Sequence, residues 1–383
     1  MGAGFDVNKI ILSAIHTHTG PGHNPGRRAN IEHPELDGNV AFDVLRTMLE
    51  SYLKPGQKYI EKENISANSE IATAEEVFAL LVDRLSKVIM DAWNNRKAGS
   101  FANAFGRVAV GMCRRVSYTD GTAQMWGDTY TAMFDAVEGG SDTGIELMYI
   151  HNEAGKLTGI VANLACPAQA VQHRLFVSPD FWGEAKMLLR KHFGEDIQLL
   201  ALCSAAGDQC PVDLVRWVEP ESDLHDPNCK RNNPPKRKAD PSMFDLAGMR
   251  KAGKRIAREV IDVYEEGLDE PQVDVEFKHV VKTYPLPLRR VTLEDAEKAR
   301  KAIRDYMQEK EGDITYNDTA MLQVHMGTIN RLKVQDQKDI HDTEVHIIRM
   351  GSVVFATNEF ELFLDYGNQI KARSAAEQTF LVQ

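Results

Sequence analysis

Short apolar, β-branched runs alternate along this chain with longer segments of helical periodicity, and that interleaving does most to limit its fold. Strand-like runs lie at Lys9–Ile15, Gly106–Cys113, Glu146–Ile150, Gly159–Ala165, Ile197–Leu202 and Glu344–Thr357. Gln272–Leu288 alternates like an exposed or edge strand. Between Glu75 and Trp93, Val77, Leu80, Leu81, Leu85, Val88, Ile89 and Ala92 recur at helical spacing. Pro179-Asp180 opens a helix through His192, and Met243–Glu266 is amphipathic. Thr292 caps a further helix, with Asp295 three residues on as a variant capping box. Strands interleaved with helices predict an α/β or mixed α+β class. No internal repeat and no linker divides the 383 residues, so one large domain over 1–383 is expected.

Composition narrows the function. With 43% hydrophobic residues the chain can bury a sizeable core. A net charge of −11 argues against nucleic acid as the main partner, because phosphate binding needs a cationic face. Lys230, Arg231, Lys236, Arg237 and Lys238 lie in a polar, proline-rich stretch, Trp217–Asp240, that reads as a solvated surface loop. No apolar run is long enough to span a membrane. Five cysteines at irregular spacing, Cys113, Cys166, Cys203, Cys210 and Cys229, do not form a disulfide framework. With no signal-peptide pattern at the start, a reducing, cytoplasmic setting is expected.

The residues with chemistry sit at the ends of the expected strands, where sites assemble in α/β sheets. In Ile15-His16-Thr17-His18-Thr19-Gly20-Pro21-Gly22, a His-x-His pair at a strand end points both rings to one side. Such a pair can share a metal, or one ring can bind it while the other handles protons. It can equally be two satisfied surface histidines. His23 and His33 follow as bystanders. Cys166, in Asn163-Leu164-Ala165-Cys166-Pro167, is either a small buried hydrophobe or a thiolate ligand. In Ser204-Ala205-Ala206-Gly207-Asp208-Gln209-Cys210-Pro211, the small residues make a tight turn whose backbone N–H groups can face a ligand. Cys210 becomes a nucleophile only if its pKa is lowered. Glu359, after a strand, reads as a cap or a surface charge, and Arg114-Arg115 as a solvated pair.

These segments, in this order, resemble the N-terminal catalytic domain of the neutral, non-lysosomal ceramidases. That family's His-Thr-His-Ser-Gly-Pro-Gly motif matches His16–Gly22 with one Ser-to-Thr change. Its second zinc histidine falls on Cys166, in a register supported by Ser178-Pro179-Asp180. Its Gly-Asp-Val-Ser-Pro motif falls on Gly207–Pro211 and puts Cys210 at the position of the nucleophilic Ser. Its active-site Arg falls on Arg114, and its zinc-binding Glu on Glu359. The resemblance implies a zinc-dependent hydrolase of a linear amide or an ester, with His16, Cys166 and Glu359 as ligands. Cys210, His18, Arg114 and Asp208 would be the catalytic groups, Arg114 at the oxyanion and His18 or Asp208 moving the proton. Cys for His at 166 and Cys for Ser at 210 leave ceramide open as the substrate, beside a smaller amide or ester. They also leave open a non-catalytic member that only binds metal or ligand, and a metal-free cysteine amidohydrolase using Cys210. The family's last zinc ligand, a Tyr, would lie beyond Gln383, and its strands before the His-x-His motif have no counterpart here. The chain is therefore expected to lack flanking segments. Apolar surface should be exposed near the N-terminal strand and at Phe380–Val382, open to self-association or covered by a partner.

Overall fold

In the computed structural model, residues 6–22, 42–60, 72–218, 236–237 and 243–383 are described. The class is mixed α/β, helices and strands interleaved, as the periodicities require. The chain divides into two compact units. One comprises Met1–Pro21, Trp93–Thr283 and Glu344–Gln383, the other Gly22–Ala92 and Tyr284–Thr343.

The first unit is layered. Its central sheet contains β1 (Gly99–Arg107), β2 (Gly144–Asn152), β3 (Leu157–Leu164) and β4 (Gln198–Cys203), in that order. Neighbours are antiparallel except β3 and β4, which run parallel with Leu164 opposite Cys203. A parallel neighbour needs a crossover. Helix α1 (Phe181–Phe193) supplies it and packs beside α2 (Asp245–Glu266). Side chains alternate across the sheet. Ile145, Leu147 and Tyr149 of β2 join Ile160, Ala162 and Leu164 of β3 in a core with Phe181, Leu189 and Ile256 of the helices. Met148 and Val161 point the other way, with Phe101 and Leu202, into a second core.

A second sheet closes that core. It is ordered β5 (Phe277–Pro287), β6 (Ile340–Met350), β7 (Val353–Thr357) and β8 (Gln378–Val382), with helix α3 (Leu364–Arg373) between β7 and β8. Phe380 and Val382 of β8 and Val353 of β7 lie in the second core. This corrects the expectation for the C-terminal run. Phe380, Leu381 and Val382 are 0%, 3% and 6% exposed, because β8 pairs in parallel with β7 and its inward face lies on the central sheet. The Asn163 side-chain amide donates to the Leu381 carbonyl oxygen at 2.7 Å.

The N-terminal run also differs. Val7–Lys9 is a single 3₁₀ turn capped by Asp6, and no strand forms from Ile10 to Ile15. His16, at φ +61°, turns the chain out of extended geometry. The backbone finds a partner at one residue: Ala168 N–H donates to the Ile15 carbonyl, and His18 N–H donates to the Ala168 carbonyl. Val7 and Leu12 remain exposed, as expected for this end. The run at 106–113 is likewise re-divided: β1 stops at Arg107, and a two-residue strand, Met112–Cys113, pairs with Gln209–Cys210.

The second unit has its own core of Leu49, Ala299, Ile303, Met307, Ile314, Leu322, Met326 and Ile329, on the helices Phe42–Glu50, Leu293–Glu309 and Tyr316–Val334 and the short strand Ile314–Thr315. The Thr292–Asp295 capping box is formed in both directions. Helix Ala74–Asn94 matches its periodicity, yet Phe78, Leu80, Val82, Leu85 and Val88 are exposed. Among the described residues, no helix is long and apolar enough to cross a membrane. His23, His33, Cys229, Lys230, Arg231 and Lys238 lie outside the described residues, and Lys236–Arg237 pairs with Trp217–Val218.

Candidate functional site

The parallel pair β3–β4 brings its two C-terminal ends side by side, with Ser204 N–H donating to the Leu164 carbonyl at 3.0 Å. Two sequence-predicted segments therefore start from adjacent points: Ala165-Cys166-Pro167-Ala168 after β3, and Ser204–Cys210 after β4. The first receives the histidine segment at Ala168. Thr17 and Thr19 hydroxyls donate to the Ser178 carbonyl at 2.7 and 3.1 Å, tying the same segment to the loop before α1.

His16 and His18 do end on one side, though by a left-handed turn at His16 rather than by strand alternation. Their rings stack with centroids 5.3 Å apart and planes 15° from parallel. A carboxylate faces His16, and it belongs to Glu361, two residues beyond Glu359. Its Oε1 is 3.8 Å from His16 Nε2 and its Oε2 is 3.9 Å from an Arg114 guanidinium nitrogen. One carboxylate thus spans a base and a cation. His16 is held below the ordinary histidine range, first by burial and then by Arg114, with Glu361 acting the other way. The ring is therefore neutral at pH 7. Glu359 follows β7 on an exposed turn.

Arg114 is fixed from below. Its Nε and Nη2 donate to the Gly207 carbonyl oxygen at 3.3 and 2.7 Å, and its backbone N–H donates to the Asp208 carbonyl at 2.7 Å. Gly207 N–H donates to the Leu362 carbonyl at 2.8 Å, and Asp208 Oδ1 accepts from Leu364 N–H at 2.9 Å. The turn after β4 thus anchors both Arg114 and the segment that carries Glu361. Asp208 is 6% exposed and serves this scaffold.

The two cysteines at chemical positions lie in the interior. Cys166 and Cys210 are both 0% exposed. Burial pushes the Cys166 thiol well up and the Cys210 thiol up to about 12, and Cys210 Sγ donates to the Val212 carbonyl at 3.4 Å. Val212 N–H donates to Cys210 Sγ at 3.4 Å and favours the thiolate, but burial outweighs it and disfavours the charged form that a nucleophile or a zinc ligand needs. Cys210 should therefore be alkylated by iodoacetamide no faster than Cys113, as peptide mapping of the native chain would show. Preferential labelling of Cys210 would restore it as the nucleophile.

Among the described residues, no three His, Cys, Asp or Glu side chains are placed to hold a metal ion. His16 and Glu361 approach each other, but with Cys166 enclosed the described residues do not assemble the three-ligand zinc centre that the resemblance implies.

Asp180, the N-cap of α1, stands behind the site. It is 2% exposed, and its two carboxyl oxygens accept from Val171 and Phe181 N–H at 2.9 and 2.7 Å. Burial outweighs these bonds and raises its pKa to about 6. Between pH ~4 and 6 the folded chain then holds a proton that the unfolded chain has released, so stability falls as pH rises through that window. A rise from ~3.9 to about 6 is worth roughly 3 kcal/mol. Urea titrations at pH 4 and pH 7 should show the stability of the native chain, relative to Asp180→Asn, falling by about that amount with increasing pH. An unchanged difference would mean that Asp180 is ionised throughout.

No protein-family model and no curated protein matches this chain. Among solved structures, it is similar to the crystal structure of neutral ceramidase from Pseudomonas aeruginosa, at 12% identity and a TM-score of 0.48, over 80% of this chain and 48% of that one. It is similar to a second structure, of ceramidase complexed with C2, at 11% identity and a TM-score of 0.48, over 80% of this chain and 50% of that one. The chain spans about half the length of the structures it matches.

Proposed function

We propose that the chain is a hydrolase of an amide or ester bond, acting through His16, Glu361 and Arg114. The observation that carries this reading is the single carboxylate of Glu361 set between a half-buried imidazole and a largely buried guanidinium. A neutral imidazole beside a carboxylate is suited to take a proton from water and to be steadied as imidazolium when it does so. The water oxygen attacks the carbonyl carbon. The Arg114 guanidinium, rigid through its two bonds to Gly207, faces the oxyanion that develops. Collapse of the tetrahedral intermediate breaks the C–N or C–O bond. The imidazolium returns its proton to the leaving amine or alcohol. Water, rather than the enclosed Cys210 thiol, is the nucleophile. His18 braces the His16 ring by stacking. The substrate is an acyl compound of small or lipid-like type, N-acyl sphingoid amides among them.

The test is a panel of fluorogenic N-acyl amides and acyl esters of increasing chain length. One member should be turned over. Arg114→Ala, which removes one oxyanion donor, should lower kcat about 10²–10³-fold, and His16→Ala should abolish turnover. Turnover unaffected by either substitution, or absent across the panel, would overturn the reading.

A further inference from the structure

A second imidazole pair lies outside the His16 cluster and plays no part in the reaction above. His279 on β5 and His346 on β6 occupy neighbouring strands, with His279 Nε2 2.9 Å from His346 Nδ1. Their ring centroids are 5.2 Å apart and the planes are tilted by 48°. Two imidazole nitrogens at that distance cannot both present bare lone pairs. A proton or a cation has to lie between them. On the other side of the ring, His346 Nε2 is 3.0 Å from Glu344 Oε1. An ionised carboxylate only accepts, so Nε2 carries the hydrogen and donates it. That leaves Nδ1 of His346 with its lone pair directed at His279. His346 is 5% exposed, and its backbone N–H donates to Thr357 Oγ1 at 2.9 Å, so the ring is set in place.

A carboxylate on one ring nitrogen and a directed lone pair on the other is the arrangement found for histidines that bind metals. We propose that His279 and His346 form a two-histidine site for a divalent transition-metal ion, with Glu344 fixing the His346 tautomer and water completing the coordination. Two metal–nitrogen bonds of ~2.0–2.1 Å at the tetrahedral angle separate their nitrogens by about 3.3 Å. The pair needs to open by only a few tenths of an ångström to admit the ion. His279 is partly buried and lies next to the N-terminal turn. Metal entry requires Nε2 to give up the hydrogen that it directs at His346 Nδ1. Neutral imidazoles favour copper, nickel and zinc, with Cu²⁺ tightest of the three. Among the described residues no third side-chain donor completes the set, so the open positions belong to water.

The chain has 12 histidines, so the test is one of difference. The full chain is titrated with CuCl₂ and, separately, ZnCl₂ by calorimetry, and the Cu²⁺ form is read by electron paramagnetic resonance. His279→Ala should lose one equivalent of Cu²⁺ together with the hyperfine pattern of two coordinated nitrogens. Glu344→Gln, a substitution at an exposed side chain, should keep that equivalent but weaken it about 10–100-fold. His16→Ala should retain it in full, which separates this site from the hydrolytic one. If His279→Ala takes up the same equivalents as the native chain with the same affinity, the pair shares only a proton and the proposal fails. Equal affinity in Glu344→Gln would remove the carboxylate's assigned role and fail it in that part.

Discussion

Replacing Gly207 with alanine is expected to collapse the proposed hydrolytic site with only a moderate loss of fold. A Cβ at this position would run into the carbonyl oxygen of Glu361, whose carbonyl carbon would be 2.9 Å away and the Leu362 oxygen 3.1 Å. All of these atoms are backbone, so no flexible side chain can swing aside. The Glu361–Leu362 segment would have to retreat, and the bond from Gly207 N–H to the Leu362 carbonyl would stretch or break. The same residue's carbonyl oxygen holds the Arg114 guanidinium. A single added methyl therefore disturbs the two charged partners of His16 together. Overpacking of this kind costs about 1–3 kcal/mol in stability, and misplacing catalytic groups by ~1 Å can cost 10²-fold in rate. The expected result is a lower melting temperature, with kcat on the best panel substrate reduced about 100-fold and KM changed far less. An alanine variant with native kcat would show that the Gly207 turn does not position Arg114 and Glu361 for catalysis.

Phe380→Ala should produce the largest loss of stability. Phe380 is fully buried, stacks on Phe355 at 4.6 Å between centroids, and shares its core with Phe101, Met148, Val161 and Leu202 of the central sheet. Truncation opens a cavity between two sheets, each fixed by its own hydrogen-bond ladder and so unable to close over it. Such a substitution costs about 3–5 kcal/mol. Chemical denaturation should show the midpoint shifting to lower denaturant by that equivalent. Val7→Ala at the exposed N-terminal turn should leave it within about 0.5 kcal/mol. A small effect at Phe380 would mean that β8 does not seal the second core.

Four helices were legible in the sequence, those with an amphipathic stripe or a cap, whereas Phe42–Glu50, Tyr316–Val334 and Leu364–Arg373 were not called. Pro179-Asp180 placed the start of α1, and Thr292 with Asp295 placed a capping box, within a single turn of sequence. The buried strands β2 and β3 were likewise legible as short apolar runs. Lys9–Ile15 has the same composition as a strand and does not form one. A strand needs a partner edge as well as β-branched residues, and the left-handed backbone at His16 removes the extended geometry. Phe380–Val382 shows the converse. Its sequence reads as an apolar end, and only the parallel pairing with β7 turns that end into core.

The candidate site divides along the same line. His16, His18, Arg114 and the Gly207-Asp208 turn could be singled out from local sequence, because each follows an apolar, strand-like run. Glu361 could not. It lies two residues from Glu359, to which the family resemblance pointed, and its distinction is that the Gly207–Leu362 hydrogen bond holds the segment whose side chain reaches His16 and Arg114. Cys166 and Cys210 show the same limit from the other side. Their thiols were visible in the sequence, but reactivity depends on solvation, and burial is a property of the folded sheet ends. The sequence by itself determined which segments have helical or strand periodicity and which residues have chemistry to offer. Tertiary structure decided which of those residues meet, because their spacing rests on contacts between residues far apart in the chain, such as Gly207 with Leu362 and Ala168 with His18.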